Sequence, residues 1–170
     1  SEKFDFMVWS EVFTCEACST DNVFFDQAFD VKTGKVQGDF PCQGCGAVQT
    51  KEHMSLVFEQ VMSRVGRGVI SRPKLVPVLL KTSRGRVSTL RKPNDMDLKV
   101  VRLADATQDE HRIPDTLFPD CQMARVGRMK TTKTEAVEDL LFKRSSMVIA
   151  YMWDRVSEIR EPELRVALKY

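Results

Sequence analysis

Two pairs of cysteines carry the clearest chemistry in this sequence. Each pair has the spacing Cys-x-x-Cys, in "FTCEACS" and in "FPCQGCG", and 23 residues lie between the two pairs. A tight turn across this spacing places both sulfurs on one side, so two such turns can supply four thiolates to one tetrahedral metal ion. The predicted metal ligands are Cys15, Cys18, Cys42 and Cys45.

The metal that this set favours is zinc in a structural role, because four thiolates complete the tetrahedron and leave no position for a catalytic water. Two disulfides are an alternative, but no secretion signal is recognisable and a fifth cysteine, Cys121, would be left over. A redox-active Cys-x-x-Cys motif is a second alternative. It would need a strand followed by a helix, whereas strand-like sequence flanks both pairs here.

Strand-like segments surround the cysteines and would position them. Residues 4–14 are rich in Phe, Val and Trp, and two further strand-like segments, 23–31 and 35–41, flank a "KTG" turn. Gly46 follows the second pair directly and suits a turn with a positive φ angle, whereas Ser19 follows the first pair and suits it less well. These features predict a small antiparallel β zinc ribbon over residues 1–55.

The segment 60–94 contains nine basic and no acidic residues, whereas residues 1–59 carry a net charge of −6. Such an imbalance is typical of a surface that follows a phosphate backbone. No aromatic residue lies within the segment, which favours duplex DNA over a single strand held by base stacking. The alternative is a solvated sheet face whose basic side chains pair with the acidic ribbon. The predicted DNA-binding residues of this segment are Arg64, Arg67, Arg72, Lys74, Arg84, Arg86, Arg91 and Lys92.

Residues 56–170 are predicted to form a second domain, which begins with a β-rich basic sheet and ends with a helix, so that the fold class of the chain is α+β. Turns at "VGRG" and "SRGR" separate three strands, and Pro73 and Pro77 make the middle strand an edge strand or a bulged one. Asn94 or Asp95 caps a short helix. Apolar residues at a spacing of three and four predict a helix over about 142–160, with its Met and aromatic side chains in the core.

A long connection is predicted between these two helices, because the intervening sequence has two prolines and little periodicity. Its part at 122–134 contains four basic and no acidic residues. We interpret this part as a second DNA-facing loop, with a mobile surface loop as the alternative. The predicted DNA-binding residues of this part are Arg125, Arg128 and Lys130.

The sequence predicts no catalytic residues. Cys121 with His111 as its base could form a nucleophilic pair, but no motif that would orient them or stabilise an oxyanion accompanies them. His53 and His111 are isolated, and the four-cysteine set requires neither of them as a ligand.

The composition is that of a water-soluble protein. Apolar residues make up 42% and charged residues 29% of the 170 residues, and the net charge is +2. No stretch approaches the roughly 18 apolar residues of a membrane span. We therefore expect a cytoplasmic protein without a membrane partner. The sequence begins without methionine, so we also expect it to be part of a longer protein.

Seven segments of the chain, taken in order, resemble one known family. They are "VWSEVFTCEAC", "VKTGKV", "FPCQGCGAVQTK", "KLVPVLL", "LRKPNDMDL", "IPDTLFPDCQM" and "FKRSSMVIAYMWDRVSEI". Together they cover nearly the whole chain and are similar to the zinc-ribbon insert of bacterial and phage adenine-specific DNA methylases. The resemblance implies a DNA-binding, target-recognition insert of an S-adenosylmethionine-dependent methyltransferase. Its partners would be double-stranded DNA and the catalytic portion of the parent enzyme.

In this family a glycine-rich S-adenosylmethionine loop precedes the insert, and an Asp/Asn-Pro-Pro-aromatic catalytic motif follows it. Neither motif occurs in the chain. The resemblance therefore implies that S-adenosylmethionine binds only to the other portion of the parent enzyme, and that the chain methylates nothing alone. The alternative function is a protein–protein interaction module that docks on the methyltransferase core or on a partner protein.

Overall fold

The fold is described by a computed structural model that covers residues 2–107, 113–114 and 116–169. It is mixed α+β, with antiparallel strands in the N-terminal part and helices towards the C-terminus, which confirms the predicted fold class. The chain forms two compact units. Unit 1 comprises Ser1–Glu59 and Pro73–Leu98, and unit 2 comprises Gln60–Arg72 and Lys99–Tyr170.

Short strands and helices alternate along the chain. The strands are β1 (Lys3–Cys15), β2 (Asp21–Val23), β3 (Phe29–Asp30), β4 (Lys35–Val36), β5 (Asp39–Pro41), β6 (Val48–Thr50), β7 (Met54–Leu56), β8 (Phe58–Met62), β9 (Val69–Pro73), β10 (Leu75–Arg84) and β11 (Val87–Arg91). The helices are α1 (Phe24–Ala28), α2 (Asp95–Ala106), α3 (Gln122–Arg125), α4 (Gly127–Thr132), α5 (Lys143–Ser157) and α6 (Pro162–Lys169). Two 3-10 turns span Lys51–His53 and Val137–Leu140.

Strand β1 organises unit 1. Its Phe, Val and Trp residues favour an extended backbone, and it lies inside an antiparallel sheet of order β11-β10-β1-β2, with β7 also paired to its end. The ladder between β1 and β10 runs from Lys3 opposite Ser83 to Glu11 opposite Leu75. This long ladder fixes the C-terminal end of β1, where Cys15 lies.

The predicted three-stranded basic sheet is wrong, because its middle strand is divided into β9 and β10. The break follows Pro73, and β9 pairs with β8 whereas β10 pairs with β1 and β11. Strand β10 is thus not an edge strand. The predicted bulge is present, since the register shifts between Val8, opposite Leu79, and Trp9, opposite Pro77. A local irregularity accommodates a proline that has no N–H for the ladder.

The segment between the cysteine pairs is only partly the predicted hairpin. Strands β3 and β4 pair, and Gly34 between them has a φ of +69°, which confirms the predicted turn. Residues 24–28, predicted as strand, instead form α1. The N–H of Phe25 donates a hydrogen bond of 2.9 Å to Oγ of Ser10 on β1. This contact satisfies one of the backbone donors that the start of a helix leaves free.

An aromatic core lies next to the cysteine pairs in unit 1. Its buried members are Phe13, Ala28, Phe40 and Met54, and Phe24 packs against them. The ring of Phe24 is 5.8 Å from that of Phe13 and 5.6 Å from that of Phe40, centroid to centroid. Such contacts join β1, α1 and β5 around one cluster.

The division into units differs from the predicted domain boundary at residue 55. The structure assigns Pro73–Leu98 to unit 1, together with the ribbon. The physical reason is the ladder between β1 and β10, which joins segments that are about 70 residues apart in sequence. Local sequence patterns carry no information about such a pairing.

Helix α2 begins as predicted. The side-chain oxygen Oδ1 of Asn94 accepts a hydrogen bond of 3.0 Å from the N–H of Asp97, and Oδ2 of Asp97 accepts one of 2.7 Å from the N–H of Asn94. This reciprocal arrangement is a capping box, so Asn94 is the N-cap.

Unit 2 corrects two predictions for the C-terminal part. The second half of the predicted long connection, 122–134, forms α3 and α4. Helix α5 confirms the helix predicted over 142–160, but its Met and aromatic side chains are not core. Tyr151, Met152 and Trp153 are 48%, 58% and 51% exposed. Helix α6 was not predicted, although a proline at a first helical position, here Pro162, is a common start signal.

None of the helices in the described part of the chain combines the length and the apolar composition that crossing a bilayer requires.

Candidate functional site

Strand ends deliver the four predicted ligands to one place in unit 1. Strand β1 ends at Cys15, and β2 follows the first cysteine pair. Strand β5 leads into Cys42, and β6 pairs with β5 after the second cysteine pair. Each Cys-x-x-Cys turn with the two residues after it, 15–20 and 42–47, which we name a knuckle, thus lies between two antiparallel strands.

The two knuckles have the same backbone hydrogen bonds. The N–H of Ser19 donates to the carbonyl of Cys15, and the N–H of Gly46 donates to the carbonyl of Cys42, both at 2.9 Å. The donor residue is left-handed in each case, with a φ of 58° at Ser19 and 72° at Gly46. The positive φ predicted at Gly46 is confirmed. Ser19 adopts the same conformation without the freedom of glycine.

The four sulfurs have the spacing of a metal site. All lie within 4.8 Å of one another. The Sγ atoms of Cys15 and Cys45 are 3.9 Å apart, and those of Cys18 and Cys42 are 3.6 Å apart. Zn–S bonds of about 2.3 Å in a tetrahedron separate the sulfurs by about 3.8 Å. A disulfide would require about 2 Å, and these cysteines are free thiols.

Hydrogen bonds divide the protons unevenly among the thiols. The backbone N–H of Cys45 is the main cause that lowers the pKa of the Cys42 thiol to about 6. The hydroxyl of Thr20 lowers the pKa of Cys18. A backbone N–H lowers the pKa of Cys45 too, but the neighbouring thiols and burial outweigh it and raise that pKa to about 11. A cluster of four thiols of this kind can release its remaining protons when it binds a cation.

Two buried amides donate hydrogen bonds to the sulfurs. The Nδ2 atom of Asn22 lies 3.5 Å from Sγ of Cys42, and the Nε2 atom of Gln49 lies 2.8 Å from Sγ of Cys15. Neither residue is among those predicted from the sequence. No spacing rule marks them, because they reach the sulfurs only through the fold.

Unit 1 contains five of the predicted DNA-binding residues, and three of them face a carboxylate. The pairs are Lys74 with Asp21 at 3.6 Å, Arg91 with Asp97 at 2.6 Å and Lys92 with Asp26 at 3.0 Å. Two of these carboxylates belong to the acidic segment 1–59, as in the alternative interpretation of the basic charge.

The other two, Arg84 and Arg86, flank the turn between β10 and β11. Both are exposed, and within the described residues no carboxylate pairs with either of them.

Unit 2 contains the other six predicted DNA-binding residues. The guanidinium of Arg67 lies 2.8 Å from the buried carboxylate of Glu138 and 2.5 Å from that of Asp139. The backbone N–H of Arg64 donates to Glu138 at 2.9 Å. These two arginines therefore link the turn between β8 and β9 to the 3-10 turn Val137–Leu140 within unit 2.

The remaining four residues of this set differ in their surroundings. Arg125 pairs with Asp120, and Arg72 and Arg128 each have an interaction partner. Lys130 is exposed on α4.

The alternative nucleophilic pair cannot be placed. Cys121 is an exposed free thiol, and His111 lies outside the described residues. The histidine at position 53 lies in the 3-10 turn Lys51–His53 and is not part of the cysteine cluster.

The geometry of the cysteine cluster suits the binding of one metal ion by four sulfur ligands. No protein-family model matches the chain, and no curated protein and no solved structure matches it. A function is therefore inferred from this cluster and from the side chains around it.

Proposed function

We propose that Cys15, Cys18, Cys42 and Cys45 bind one zinc ion with a structural role. The observation that carries this proposal is the sulfur spacing of 3.6 and 3.9 Å, close to the edges of a zinc tetrathiolate. Four thiolates leave no open coordination position, so the ion would stabilise the knuckles rather than bind a substrate.

Metal analysis of the purified chain tests the zinc proposal. We expect one zinc per chain with four sulfur ligands in X-ray absorption, and loss of this zinc in Cys42→Ser. The matched control is Cys121→Ser, because Cys121 is exposed and lies outside the cluster. Full zinc content in Cys42→Ser, or a zinc-free chain with disulfides between these cysteines, would contradict the proposal.

We further propose that the chain is the DNA-binding, target-recognition insert of an adenine-specific DNA methyltransferase. The seven segments that resemble this family, in the same order along the chain, support the proposal. The exposed hairpin turn with Arg84 and Arg86 supports it as well. In this proposal the chain positions double-stranded DNA. The catalytic portion of the parent enzyme would bind S-adenosylmethionine and transfer the methyl group.

Arg84 and Arg86 are the first candidates for phosphate contact. A guanidinium forms two charge-assisted hydrogen bonds to a phosphate, and these two are exposed without a carboxylate partner in the part of the chain that the structure describes. Lys74, Arg91 and Lys92 already face carboxylates, so a phosphate would have to compete for them. The proposed contact set is therefore smaller than the set predicted from the sequence.

Charge reversal at the hairpin turn tests the DNA proposal. In fluorescence anisotropy with a short duplex, we expect Arg84→Glu/Arg86→Glu to weaken binding. The slope of log K against log salt should fall by about 2, one for each lost phosphate contact. The matched control is Lys32→Glu/Lys35→Glu, which makes the same charge change at exposed positions of unit 1. Equal affinity of the wild-type and hairpin variants would contradict the proposal.

A second candidate function is an interaction module that docks on the catalytic portion of the methyltransferase. The observation that favours it is the exposure of large apolar side chains on α5, where Val148 and Met152 are both 58% exposed. Interfaces bury side chains of this kind. We expect Met152→Asp/Trp153→Asp to abolish assembly with the catalytic portion and to leave DNA binding by the separate chain unchanged. Persistent assembly would contradict this candidate.

A further inference from the structure

Two polar side chains are buried beside the sulfurs. Asn22 and Gln49 are only 2% and 5% exposed. Each directs an amide N–H at a buried cysteine, Asn22 at Cys42 and Gln49 at Cys15. The other two cysteines of the cluster are exposed. The donors are therefore found where water cannot hydrogen-bond to the sulfur.

Gln49 is buried at a cost to the fold. Its oxygen Oε1 is buried without a hydrogen-bond partner among the described residues. An unpaired buried acceptor is unfavourable, and a leucine of similar volume would avoid it. The polar contact that Gln49 makes in return is the hydrogen bond of 2.8 Å to Cys15. The hydrogen bond to Cys15 is therefore the contact that accounts for an amide at this buried position.

Asn22 connects the two knuckles. Its Nδ2 atom donates to the carbonyl of Thr20 in the first knuckle at 2.9 Å, and its Oδ1 atom accepts from the N–H of Gln43 in the second at 2.9 Å. The same Nδ2 atom lies 3.5 Å from Sγ of Cys42. One side chain thus fixes the distance between the two halves of the sulfur cluster.

We propose that Asn22 and Gln49 are positioning residues of the metal centre. They orient the buried sulfurs of Cys42 and Cys15 and stabilise the negative charge of these thiolates. The proposal rests on the proposed zinc site. A zinc ion with four thiolates carries a formal charge of about −2, and burying half of it without donors is unfavourable. Amide donors to the ligands lower this penalty and therefore tighten metal binding.

Zinc affinity tests the proposal in the full chain, by competition with a chromophoric chelator. We expect Gln49→Leu and Asn22→Leu to bind zinc about 10- to 100-fold more weakly than the wild type. The matched control is Gln37→Leu, an exposed glutamine of the same unit, which should change affinity less than twofold. If Gln49 had a purely structural role, Gln49→Leu would bind zinc more tightly than the wild type, because the substitution removes a buried unpaired acceptor.

Cobalt substitution supplies a second measurement. Co²⁺ in a tetrathiolate site has a sulfur-to-metal charge-transfer band, and a thiolate that loses a hydrogen-bond donor gives up its electrons more easily. We expect this band to shift to longer wavelength in Gln49→Leu and to stay in place in Gln37→Leu. A side chain that only fills space would leave the band unshifted.

The outcomes separate this proposal from the zinc proposal. A wild-type chain that binds no zinc contradicts the zinc site itself. A wild-type chain that binds one zinc, with affinity and charge-transfer band unchanged in Gln49→Leu, overturns the role of the amides alone. If Asn22→Leu fails to fold with zinc, Gln49→Leu decides, because the side chain of Gln49 has no hydrogen bond to the backbone of any described residue. Gln49→Met, which keeps the side-chain length, replaces Gln49→Leu if that variant does not fold.

Discussion

Gly44, between the cysteines of the second knuckle, lies against Thr20 of the first knuckle. A β-carbon at position 44 would be 2.5 Å from Oγ1 and 2.9 Å from Cβ of Thr20. The Cβ atom of Thr20 is fixed to its own backbone, so rotation of the side chain cannot relieve this overlap and the backbone must shift. Gly44 is not among the glycines with a positive φ, and the requirement for glycine is therefore steric.

We predict that Gly44→Ala destabilises the zinc-loaded chain. The added methyl group pushes the knuckles apart, and overpacking of this kind costs about 1–3 kcal/mol. Thermal unfolding of the zinc-loaded protein measures the effect. Gly38→Ala is the control, since a β-carbon at Gly38 meets nothing within 4 Å. Equal melting temperatures of the two variants would show that the knuckles can move apart freely.

At the scale of residues, the sequence was informative where chemistry depends on local spacing. The Cys-x-x-Cys pairs identified all four members of the sulfur cluster, and Gly46 identified a left-handed residue. Asn22 and Gln49 could not be identified in this way. They lie 20 and 34 positions from the cysteines to which they donate, and only the pairing of strands brings them together.

At the scale of elements, local conformational propensity correctly predicted those segments whose tertiary contacts favour the same conformation. Strand β1, the Gly34 turn and the Asn94 cap of α2 follow from local sequence. Residues 24–28 were predicted as strand because Phe favours extended backbone, and a contact from Phe25 to Ser10 supports a helical turn instead. Tertiary contacts thus override weak local preferences.

The link between the β8–β9 turn and the 3-10 turn Val137–Leu140 is a second case in which distant residues decide the structure. Glu138 is 5% exposed, and its carboxylate accepts hydrogen bonds from the hydroxyl of Ser63, the N–H of Arg64 and the guanidinium of Arg67. Burial alone would raise the pKa of Glu138, but these donors outweigh it and hold the pKa below its ordinary value of 4.5. The pairing therefore favours the ionised form.

We predict that Glu138→Gln destabilises unit 2 at neutral pH by roughly 2–3 kcal/mol, because a neutral amide replaces the buried carboxylate that pairs with Arg67 and accepts from the N–H of Arg64. The contribution of Glu138 is complete above about pH 4.5 and disappears as the pH falls through the lower pKa of the folded state. Urea unfolding at pH 7 and at pH 3 measures both effects. The difference between wild type and Glu138→Gln should shrink at the lower pH.

Glu135→Gln is the matched control for this prediction. The side chain of Glu135 is 73% exposed, and its carboxylate lies 3.5 Å from Arg67. An exposed pair of this kind contributes less than about 1 kcal/mol. A loss of stability as large as that of Glu138→Gln, or a Glu138→Gln difference that does not depend on pH, would contradict the role of the buried carboxylate.

At the scale of the whole molecule, the charge pattern of the sequence is compensated by the fold to a large extent. The basic segment 60–94 has no acidic residue of its own, but within the described residues at least five of its predicted DNA-binding side chains face a carboxylate from outside the segment, namely Arg64, Arg67, Lys74, Arg91 and Lys92. Arg64 and Arg67 are paired with Glu138, more than 70 residues away. Sequence alone shows the imbalance and cannot show these partners, so a charge run overestimates the surface available to DNA.

The position of the sulfur cluster predicts which part of the chain depends on metal. All four cysteines belong to unit 1, and three of the strands beside them, β2, β5 and β6, have only three residues each. Strands of this length are not stable without a further constraint, which the metal would supply. Strands β1, β10 and β11 share longer ladders, and the Glu138 contacts of unit 2 involve no cysteine.

We therefore predict that chelation of the metal unfolds the knuckles selectively. Hydrogen exchange followed by mass spectrometry, before and after removal of zinc, should show loss of protection in β2, β5 and β6. Protection should persist in β10, β11 and α5, whose backbone hydrogen bonds do not depend on the cluster. Addition of zinc should restore protection in the knuckles, which serves as the internal control. Equal loss of protection in α5 and β5 would instead show that both units fold only with the metal, and unchanged exchange in β5 would show that the cysteine cluster needs no ion.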